Sequence, residues 1–257
     1  MRLARLRHSG RDHWAVIESD TLALIDDPWA RTPIKTGEVV PWEHASLLAP
    51  AVPRTVVGMA HNTGIDDQRL APQAFLKPAR AVAPPGSRIE LPEGIGRVDV
   101  EGELAVVIAR TARHLTRADA LDHVLGYTLA NDVTARDLQV TDPLWTTAKG
   151  ADGWTPLGPW IETELDPSDV AITVSVNGAP LRPGSTDGLA RDVVDVLVYI
   201  TSFMTLGPGD VVLTGAPGQS APVQPGDHVE ISAPGLGSLI GTVVGEQTPV
   251  PAARRPS

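Results

Sequence analysis

Three acidic residues occupy alternate positions at the start of VDVEGELAVVIA (98–109), just before an almost purely apolar run. Alternate side chains of a β-strand point to the same face, so Glu101 and Glu103 would lie roughly 7 Å apart, on the same side as Asp99. Carboxylates this close repel each other, and burial increases the repulsion. A hard divalent cation would compensate them through oxygen ligands. Acids that simply face water at the end of a strand are the alternative.

Two further residues have types that suit such a site. Asp132 follows the apolar segment GYTLAN (126–131), where it is either a third carboxylate ligand or part of an Asn-Asp turn. Lys149 lies in the Gly- and Pro-rich segment AKGADGWTPLGPW (148–160). An ammonium group near a bound oxyanion stabilises developing negative charge, whereas an ordinary exposed lysine would have no such role.

The elements that must position these residues are mostly strands. Alternation and apolar runs predict a mainly β, α+β fold, with helices at 115–125 and 189–204. Thr116 and Asp119 have the spacing of a capping box at the start of the first helix. The predicted strands of the main body are 55–59, 98–109, 126–131, 159–163, 170–177, 210–214, 227–232 and 239–244.

The domain organisation follows from the same pattern. Short alternating segments at the N-terminus predict a small β-rich domain over 1–49. We expect one larger domain over 50–247, because no linker divides it, and a disordered tail over 248–257.

Composition excludes several classes of protein. The net charge of −10 disfavours a nucleic-acid partner, and no apolar run has the length of a membrane helix. The absence of cysteine excludes disulfides, zinc–thiolate sites and cysteine nucleophiles. The N-terminus has no apolar signal segment, so a cytoplasmic protein is the expectation. Neither a nucleophile elbow nor a dinucleotide-binding glycine motif occurs, and the histidines lack metal-ligand spacing.

The order of the motifs is more informative than any one of them. EGELAVVI, GYTLANDVTARDLQ, AKGADGWTPLGPW and LGPGDVVLTGAP follow one another along the chain. Together with AFLKPARAVAPPGSRIELP and VSVNGAPLRPGST, they resemble the fumarylacetoacetate hydrolase family over roughly 54–245. The resemblance implies a mixed β-sandwich or β-roll fold and a homodimer.

The resemblance also implies a metal site and a substrate class. Glu101, Glu103 and Asp132 match the three carboxylates that hold Mg²⁺ or Mn²⁺ in the family, and Lys149 matches a lysine that faces the substrate. The substrates are small 2-oxo acids or β-dicarbonyl acids that chelate the metal, which acts as a Lewis acid and stabilises an enolate. The reactions are C–C hydrolysis, decarboxylation and keto–enol tautomerisation.

Four further residues match the family's substrate pocket. Arg136 and Gln139 of ARDLQ lie where the family lines it. The family commonly reads LTGTP where this chain has LTGAP, so Thr214 is kept at the end of the strand and Ala216 replaces the threonine that contacts substrate. The lost hydroxyl implies a different substrate group or a water molecule in its place.

This chain differs more strongly from the family in the element that activates water. It often reads G-x-N-Y-x-x-H-x-x-E, whereas this chain has GMAHNTGIDD (58–67), with Gly64 at the His position and Asp67 at the Glu position. His61, three residues upstream, is either a replacement base or a structural histidine. Asp67 either orients water or lies on the surface. We expect a C–C hydrolase first, and a decarboxylase or tautomerase of a 2-oxo dicarboxylic acid as the alternative; a non-catalytic member is a third reading.

Overall fold

The computed structural model describes residues 1–30, 32–218 and 220–246. The tail predicted over 248–257 lies outside them. The strands are β1 (Arg2–His8), β2 (Arg11–Glu18), β3 (Thr21–Ile25), β4 (Lys35–Pro41), β5 (Ser46–Leu47), β6 (Val56–Ala60), β7 (Gln73–Lys77), β8 (Val82–Ala83), β9 (Arg88–Leu91), β10 (Val98–Val100), β11 (Gly102–Ile108), β12 (Val124–Asn131), β13 (Thr134–Ala135), β14 (Thr155–Glu162), β15 (Ala171–Val176), β16 (Ala179–Pro180), β17 (Gly184–Ser185), β18 (Val211–Leu213), β19 (Ala221–Val223), β20 (His228–Ala233) and β21 (Gly237–Gly245).

The helices are few and short. The α-helices of the described residues are α1 (Arg136–Thr141), α2 (Thr146–Lys149) and α3 (Val193–Phe203). The 3-10 helices are Trp42–His44, Ile65–Arg69, Ala79–Ala81, Ala120–His123 and Thr186–Gly188. None of these helices has the length and apolar character needed to cross a bilayer. The predicted mainly β fold is confirmed, and each predicted strand of the main body overlaps an observed one.

A 12-stranded sheet forms the body of the protein. Its main path runs β4-β3-β2-β1-β14-β12-β11-β18-β6-β7, with β5 beside β1 and β8 beside β14. The strands before residue 49 therefore continue the main sheet through the antiparallel β1–β14 pair rather than forming a sheet of their own. The domain boundary at residues 49 and 50 stays a prediction.

The strand β11 lies at the centre of this sheet, between β12 and β18, and all of its residues are buried. Leu104 and Val106 pack into the largest apolar cluster, whereas Ala105 and Val107 pack into a second cluster on the other face. Burial on both faces explains why the sequence is apolar without interruption after Glu103. A polar side chain at the start of such a strand therefore lies against a dry, close-packed wall.

The predicted strand 98–109 is wrong in one respect, since it breaks at Glu101. The segment before the break, β10, belongs to a separate three-stranded sheet, β13-β10-β19, whereas β11 belongs to the large sheet. At the break the backbone N–H of Glu101 donates to the side-chain oxygen of Asn131 at 3.3 Å, and its carbonyl accepts from the Asp132 N–H at 2.9 Å. These contacts join the two strand ends that carry the predicted carboxylates.

The predicted helix over 115–125 is also wrong in extent. The backbone N–H and hydroxyl of Thr116 both donate to the Asp119 carboxylate, which is half of a capping box, but only the 3-10 helix Ala120–His123 follows. The predicted helix over 189–204 is confirmed in part as α3. It begins later because Asp192 is the N-cap and accepts from the Asp195 N–H at 2.7 Å.

Candidate active site

Three carboxylates meet at the break between β10 and β11. Glu101, Glu103 and Asp132 each offer one oxygen, and these three atoms lie within 4.8 Å of one another. Glu103 is the second residue of the central strand β11, while Asp132 follows its neighbour β12, so the pairing of Gly102 with Asn131 brings the acids together. The sequence spacing alone could not show this, because Asp132 joins the cluster across the strand pair.

Burial increases the electrostatic repulsion among the three carboxylates. Burial and the nearby carboxylates of Asp132 and Glu101 raise the pKa of Glu103 well above its ordinary value. Burial would also raise the pKa of Asp132, but the ammonium groups of Lys149 and Lys77 outweigh it, and the pKa is lowered. Positive charge therefore already stabilises one side of the cluster.

Lys77 supplies part of that charge, and the sequence analysis did not identify it. Its ammonium is 2.5 Å from a carboxylate oxygen of Asp132 and donates to the Trp154 carbonyl at 2.9 Å. Burial lowers the pKa of Lys77, whereas Asp132 acts against that shift. The sequence offered one indication: Lys77 is two positions after Phe75 in the strand QAFLK, so both side chains lie on the same face.

Lys149, the last residue of α2, lies on the opposite side of Asp132. Its ammonium donates to the second carboxylate oxygen of Asp132, to Glu101 at 3.2 Å and to the Thr134 hydroxyl at 2.7 Å. Burial would lower the pKa of Lys149, but Asp132 and Glu101 outweigh burial and raise it. The ammonium also lies 4.7 Å from the centre of the Phe75 ring, so an aromatic face covers its outer side.

A cavity of about 230 Å³ opens above the carboxylates. Its large apolar and aromatic lining residues are Met59, Phe75 and Trp145. Nine residues singled out from the sequence line this cavity: His61, Asp67, Glu101, Glu103, Asp132, Arg136, Gln139, Lys149 and Ala216.

Thr214 does not line the cavity. It is fully buried, and its hydroxyl donates to the Leu104 carbonyl at 2.9 Å. The structure therefore does not bring Thr214 to the cavity with the other predicted pocket residues, because its hydroxyl bonds to the sheet, and its contact with substrate stays a prediction. The next residue, Gly215, does reach the site, and its backbone N–H donates to Glu103 at 2.6 Å.

Arg136 lines the cavity but directs its guanidinium at protein partners. It donates to Asp99 at 2.9 Å, to Glu101 at 2.8 Å and to the side-chain oxygen of Gln139 at 3.0 Å. Asp99 is thereby separated from the three-carboxylate cluster, although it shares their alternation in the sequence. It pairs with Arg97 and Arg136, while Glu101 receives Arg136 on one oxygen and Lys149 on the other.

The segment that replaces the water-activating element lies at the edge of the cavity. His61 follows β6 with φ +55°, in the left-handed region. The Asp67 carboxylate accepts from the backbone N–H and the hydroxyl of Thr63, at 2.9 and 3.0 Å, and these bonds lower its pKa. His61 and Asp67 both line the cavity, but the hydrogen bonds that Asp67 accepts come from Thr63 and backbone groups.

The donor set fits a hard divalent cation. All three candidate ligands are carboxylates, which suit Mg²⁺ or Mn²⁺ rather than a soft metal. A cation would also relieve the repulsion that raises the pKa of Glu103. The triad is therefore consistent with a divalent metal site.

Comparisons with known proteins agree with this architecture. The family model described as fumarylacetoacetate (FAA) hydrolase C-terminal matches residues 52–244, and the one described as Rv2993c-like, N-terminal matches residues 1–50. Protein Rv2993c of Mycobacterium tuberculosis is 39% identical over 227 residues, or 85% of this chain and 86% of that protein. The human mitochondrial oxaloacetate tautomerase FAHD2A is 35% identical over 225 residues, or 80% of this chain and 72% of that protein.

Solved structures give the same picture. The 5-carboxymethyl-2-hydroxymuconate delta-isomerase from Mycobacterium smegmatis superposes with a TM-score of 0.92 at 39% identity, over 96% of this chain and 100% of that one. The maleylpyruvate hydrolase from Sphingobium sp. SYK-6, in complex with manganese (II) ion and pyruvate, has a TM-score of 0.81 at 27% identity, with the same coverage. This chain belongs to the fumarylacetoacetate hydrolase family.

Proposed function

We propose that this protein is a divalent-metal-dependent isomerase that interconverts the keto and enol forms of a small 2-oxo dicarboxylic acid, such as oxaloacetate. The observation that carries the proposal is a cavity with three carboxylates and Lys149 on one side and, among its lining residues, all of them described, no histidine paired with a carboxylate. A tautomerase moves a proton and needs no activated water. The names of the human tautomerase and of the mycobacterial isomerase support this choice.

The charges around the cavity favour an anionic substrate. Lys77, Lys149 and Arg136 form ion pairs with Asp132 and Glu101, so these three cations offset the formal charge of the three ionised acids. A divalent cation would add two positive charges, of which the carboxylate of Asp67, which also lines the cavity, offsets one. An anionic oxo-acid would compensate the remaining positive charge.

The chain's own residues account for the proton transfer. Glu101, Glu103 and Asp132 would hold a cation that, when bound, withdraws electrons from the 2-oxo group and acidifies the adjacent C–H. His61 takes the proton from that carbon and returns it to the carbonyl oxygen, so that no atom is gained or lost. The three N–H groups of Lys149 donate to Asp132, Glu101 and Thr134, so its contribution to the oxygen that develops negative charge is the electrostatic effect of the nearby ammonium.

C–C hydrolysis is the second candidate, because His61 lines the cavity and would serve equally as a base for water. It was the first expectation from the sequence, and the comparisons support the isomerase better, since the maleylpyruvate hydrolase is the more distant of the two structures. Decarboxylation needs the same cation and Lys149 but releases CO₂.

Hydrogen exchange at the substrate separates these reactions. We expect the enzyme with Mg²⁺ or Mn²⁺ to accelerate deuterium incorporation at C3 of oxaloacetate in D₂O, measured by NMR, while the carbon skeleton stays intact. The Glu101→Gln variant and the metal alone are the controls for uncatalysed exchange. Loss of CO₂, or addition of water to an acylpyruvate, at a rate above exchange would refute the isomerase and identify the alternative reaction by mass spectrometry.

We also propose a homodimer. Large apolar side chains with more than half of their surface exposed support it: Leu76 on the edge strand β7, and Val140 and Leu144 near the cavity. Light scattering after size exclusion should give twice the 27.1 kDa chain mass. A mass of one chain at micromolar concentration would contradict this proposal.

A further inference from the structure

The segment 61–70 is most of the connection between β6 and β7 and forms one edge of the cavity. His61, Thr63 and Asp67 all line the cavity from this segment. It contains the short 3-10 helix Ile65–Arg69 and contributes exposed side chains such as Ile65. Its position over the cavity must therefore be fixed by contacts with other parts of the chain.

Arg191, just before α3, holds both ends of this segment. Its guanidinium donates to the His61 carbonyl at 2.9 Å and, through its other terminal nitrogen, to the Leu70 carbonyl. The side-chain amide of Gln68 adds a bond to the Ala190 carbonyl at 3.2 Å. One planar cation thus spans the start and the end of the segment, which an arginine can do and a lysine cannot.

The buried side chain of Asn62 also connects segment 61–70 to the residues before α3. Its side chain is fully buried and forms a reciprocal pair with the backbone of Arg191, accepting from the N–H at 2.7 Å and donating to the carbonyl at 3.0 Å. The same amide nitrogen donates to the Thr214 carbonyl at 2.7 Å. Asn62 therefore joins the cavity segment, the start of α3 and the end of β18.

The end of β18 leads directly to a candidate metal ligand. Gly215, which follows Thr214, donates its N–H to Glu103 at 2.6 Å. Gly215 has φ +106°, and a Cβ atom there would lie 2.1 Å from the Asn62 carbonyl oxygen. The backbone that orients Glu103 is thus packed directly against Asn62.

We propose that Arg191 and Asn62 are positioning residues, with Arg191 holding segment 61–70 over the cavity and Asn62 linking that segment to the N–H that orients Glu103. The two residues therefore have separable effects. Loss of the Arg191 side chain releases the segment and leaves the metal ligands in place. Loss of the Asn62 amide disturbs both the position of the segment and the orientation of Glu103.

Limited trypsin digestion tests the first part. Arg69 lies in the segment with an exposed side chain, so cleavage after it reports opening of the segment. We expect Arg191→Met to accelerate the appearance of the fragment ending at Arg69 by about tenfold or more, since two hydrogen bonds from a charged donor are lost. The cleavage rate of Arg191→Lys should lie between those of Arg191→Met and the wild type.

Arg117→Met is the matched control. Arg117 also contacts the start of α3, through Asp192 and Asp195, but among the described residues it forms no hydrogen bond or ion pair with segment 61–70, so its replacement should leave cleavage at Arg69 unchanged. Equal cleavage rates at Arg69 in Arg191→Met and the wild type would overturn the role of Arg191.

Calorimetric titration with Mn²⁺ tests the second part. Asn62→Ala should weaken Mn²⁺ binding by about tenfold, the lower end of the range for residues that orient metal ligands, while Arg191→Met should leave it unchanged. Unchanged Mn²⁺ affinity in a folded Asn62→Ala variant, or weakened affinity in Arg191→Met, would overturn the separation. If Asn62→Ala does not fold, the titration of Arg191→Met still tests whether release of the segment leaves the metal ligands in place.

Turnover is a third measurement, and only this one rests on the proposed function. Arg191→Met should lower kcat/KM for enolisation, because His61 leaves the cavity with its segment, while Mn²⁺ affinity stays constant. If the isomerase proposal fails, the digestion and titration experiments still test Arg191 and Asn62 without reference to any reaction.

Discussion

Replacing Lys77 with methionine isolates the contribution of a buried positive charge to this site. Methionine keeps an unbranched apolar chain of similar length and removes the ammonium that pairs with Asp132 at 2.5 Å. Both partners are almost completely buried. Breaking a buried ion pair by removing one partner costs about 3–5 kcal/mol, because the remaining charge stays in a medium of low polarity.

The cost should depend on the cation. Without metal, the variant leaves three neighbouring acids with one ammonium, Lys149, and the guanidinium of Arg136. A bound divalent cation supplies the missing positive charge to Asp132. The difference in unfolding free energy between Lys77→Met and the wild type should therefore be largest in EDTA and smaller in saturating Mn²⁺.

Urea unfolding followed by tryptophan fluorescence measures both differences at one fixed protein concentration, because Trp154 is buried beside Lys77 and reports loss of the core. Lys35→Met is the matched control. Lys35 pairs with Glu18 on the surface, so its replacement should change stability by less than about 0.5 kcal/mol. A loss below about 1 kcal/mol for Lys77→Met, or the same loss with and without Mn²⁺, would refute charge compensation as the role of Lys77.

Three further predictions concern the metal, the sheet and the helix start. Glu101→Gln should weaken Mn²⁺ binding by at least about tenfold in calorimetry while circular dichroism stays unchanged, and unaltered affinity would remove Glu101 from the ligand set. Asp210→Ala should lower the unfolding free energy by about 2–4 kcal/mol in urea, because its carboxylate accepts three backbone N–H groups, while Asp210→Asn should lose less; equal losses would contradict this. Burial would raise the pKa of Asp192, but the hydrogen bond from the Asp195 N–H and the charge of Arg117 outweigh it and lower the pKa, so the stabilisation from the ionised carboxylate should be complete above the unfolded pKa and disappear as pH falls through the lower folded value. Asp192→Asn should retain the cap but lose this acid dependence. A difference in unfolding free energy between this variant and the wild type that stays constant down to pH 2 would contradict the prediction.

The parts of the site that follow a sequence pattern were predictable. Glu101 and Glu103 interrupt an otherwise apolar strand, and Asp132 ends another, so their types and positions indicated a common site before their contact was known. The mainly β fold followed from the same alternation. Their convergence depends on the pairing of β11 with β12, which no local pattern specifies.

The remaining parts depend on contacts that leave little trace in the sequence. The alternation of 98–109 continues through Glu101, so the break there is invisible until Asn131 is found to bond its backbone. Lys77 is a single residue without a repeating pattern, and Thr214 differs from a pocket residue only in the direction of its hydroxyl. At Thr116, the correct capping spacing forms a local bond, but the following residues do not continue it into an α-helix.

The distribution of lysines has a practical consequence for chemical labelling. The sequence contains three lysines, all among the described residues, and two of them, Lys77 and Lys149, are buried at the carboxylates. The third, Lys35, is 52% exposed and lies on β4, at the opposite edge of the large sheet from β7. Amine-reactive dyes or supports should therefore couple among lysine side chains at Lys35, leaving the cavity unmodified and open to solution.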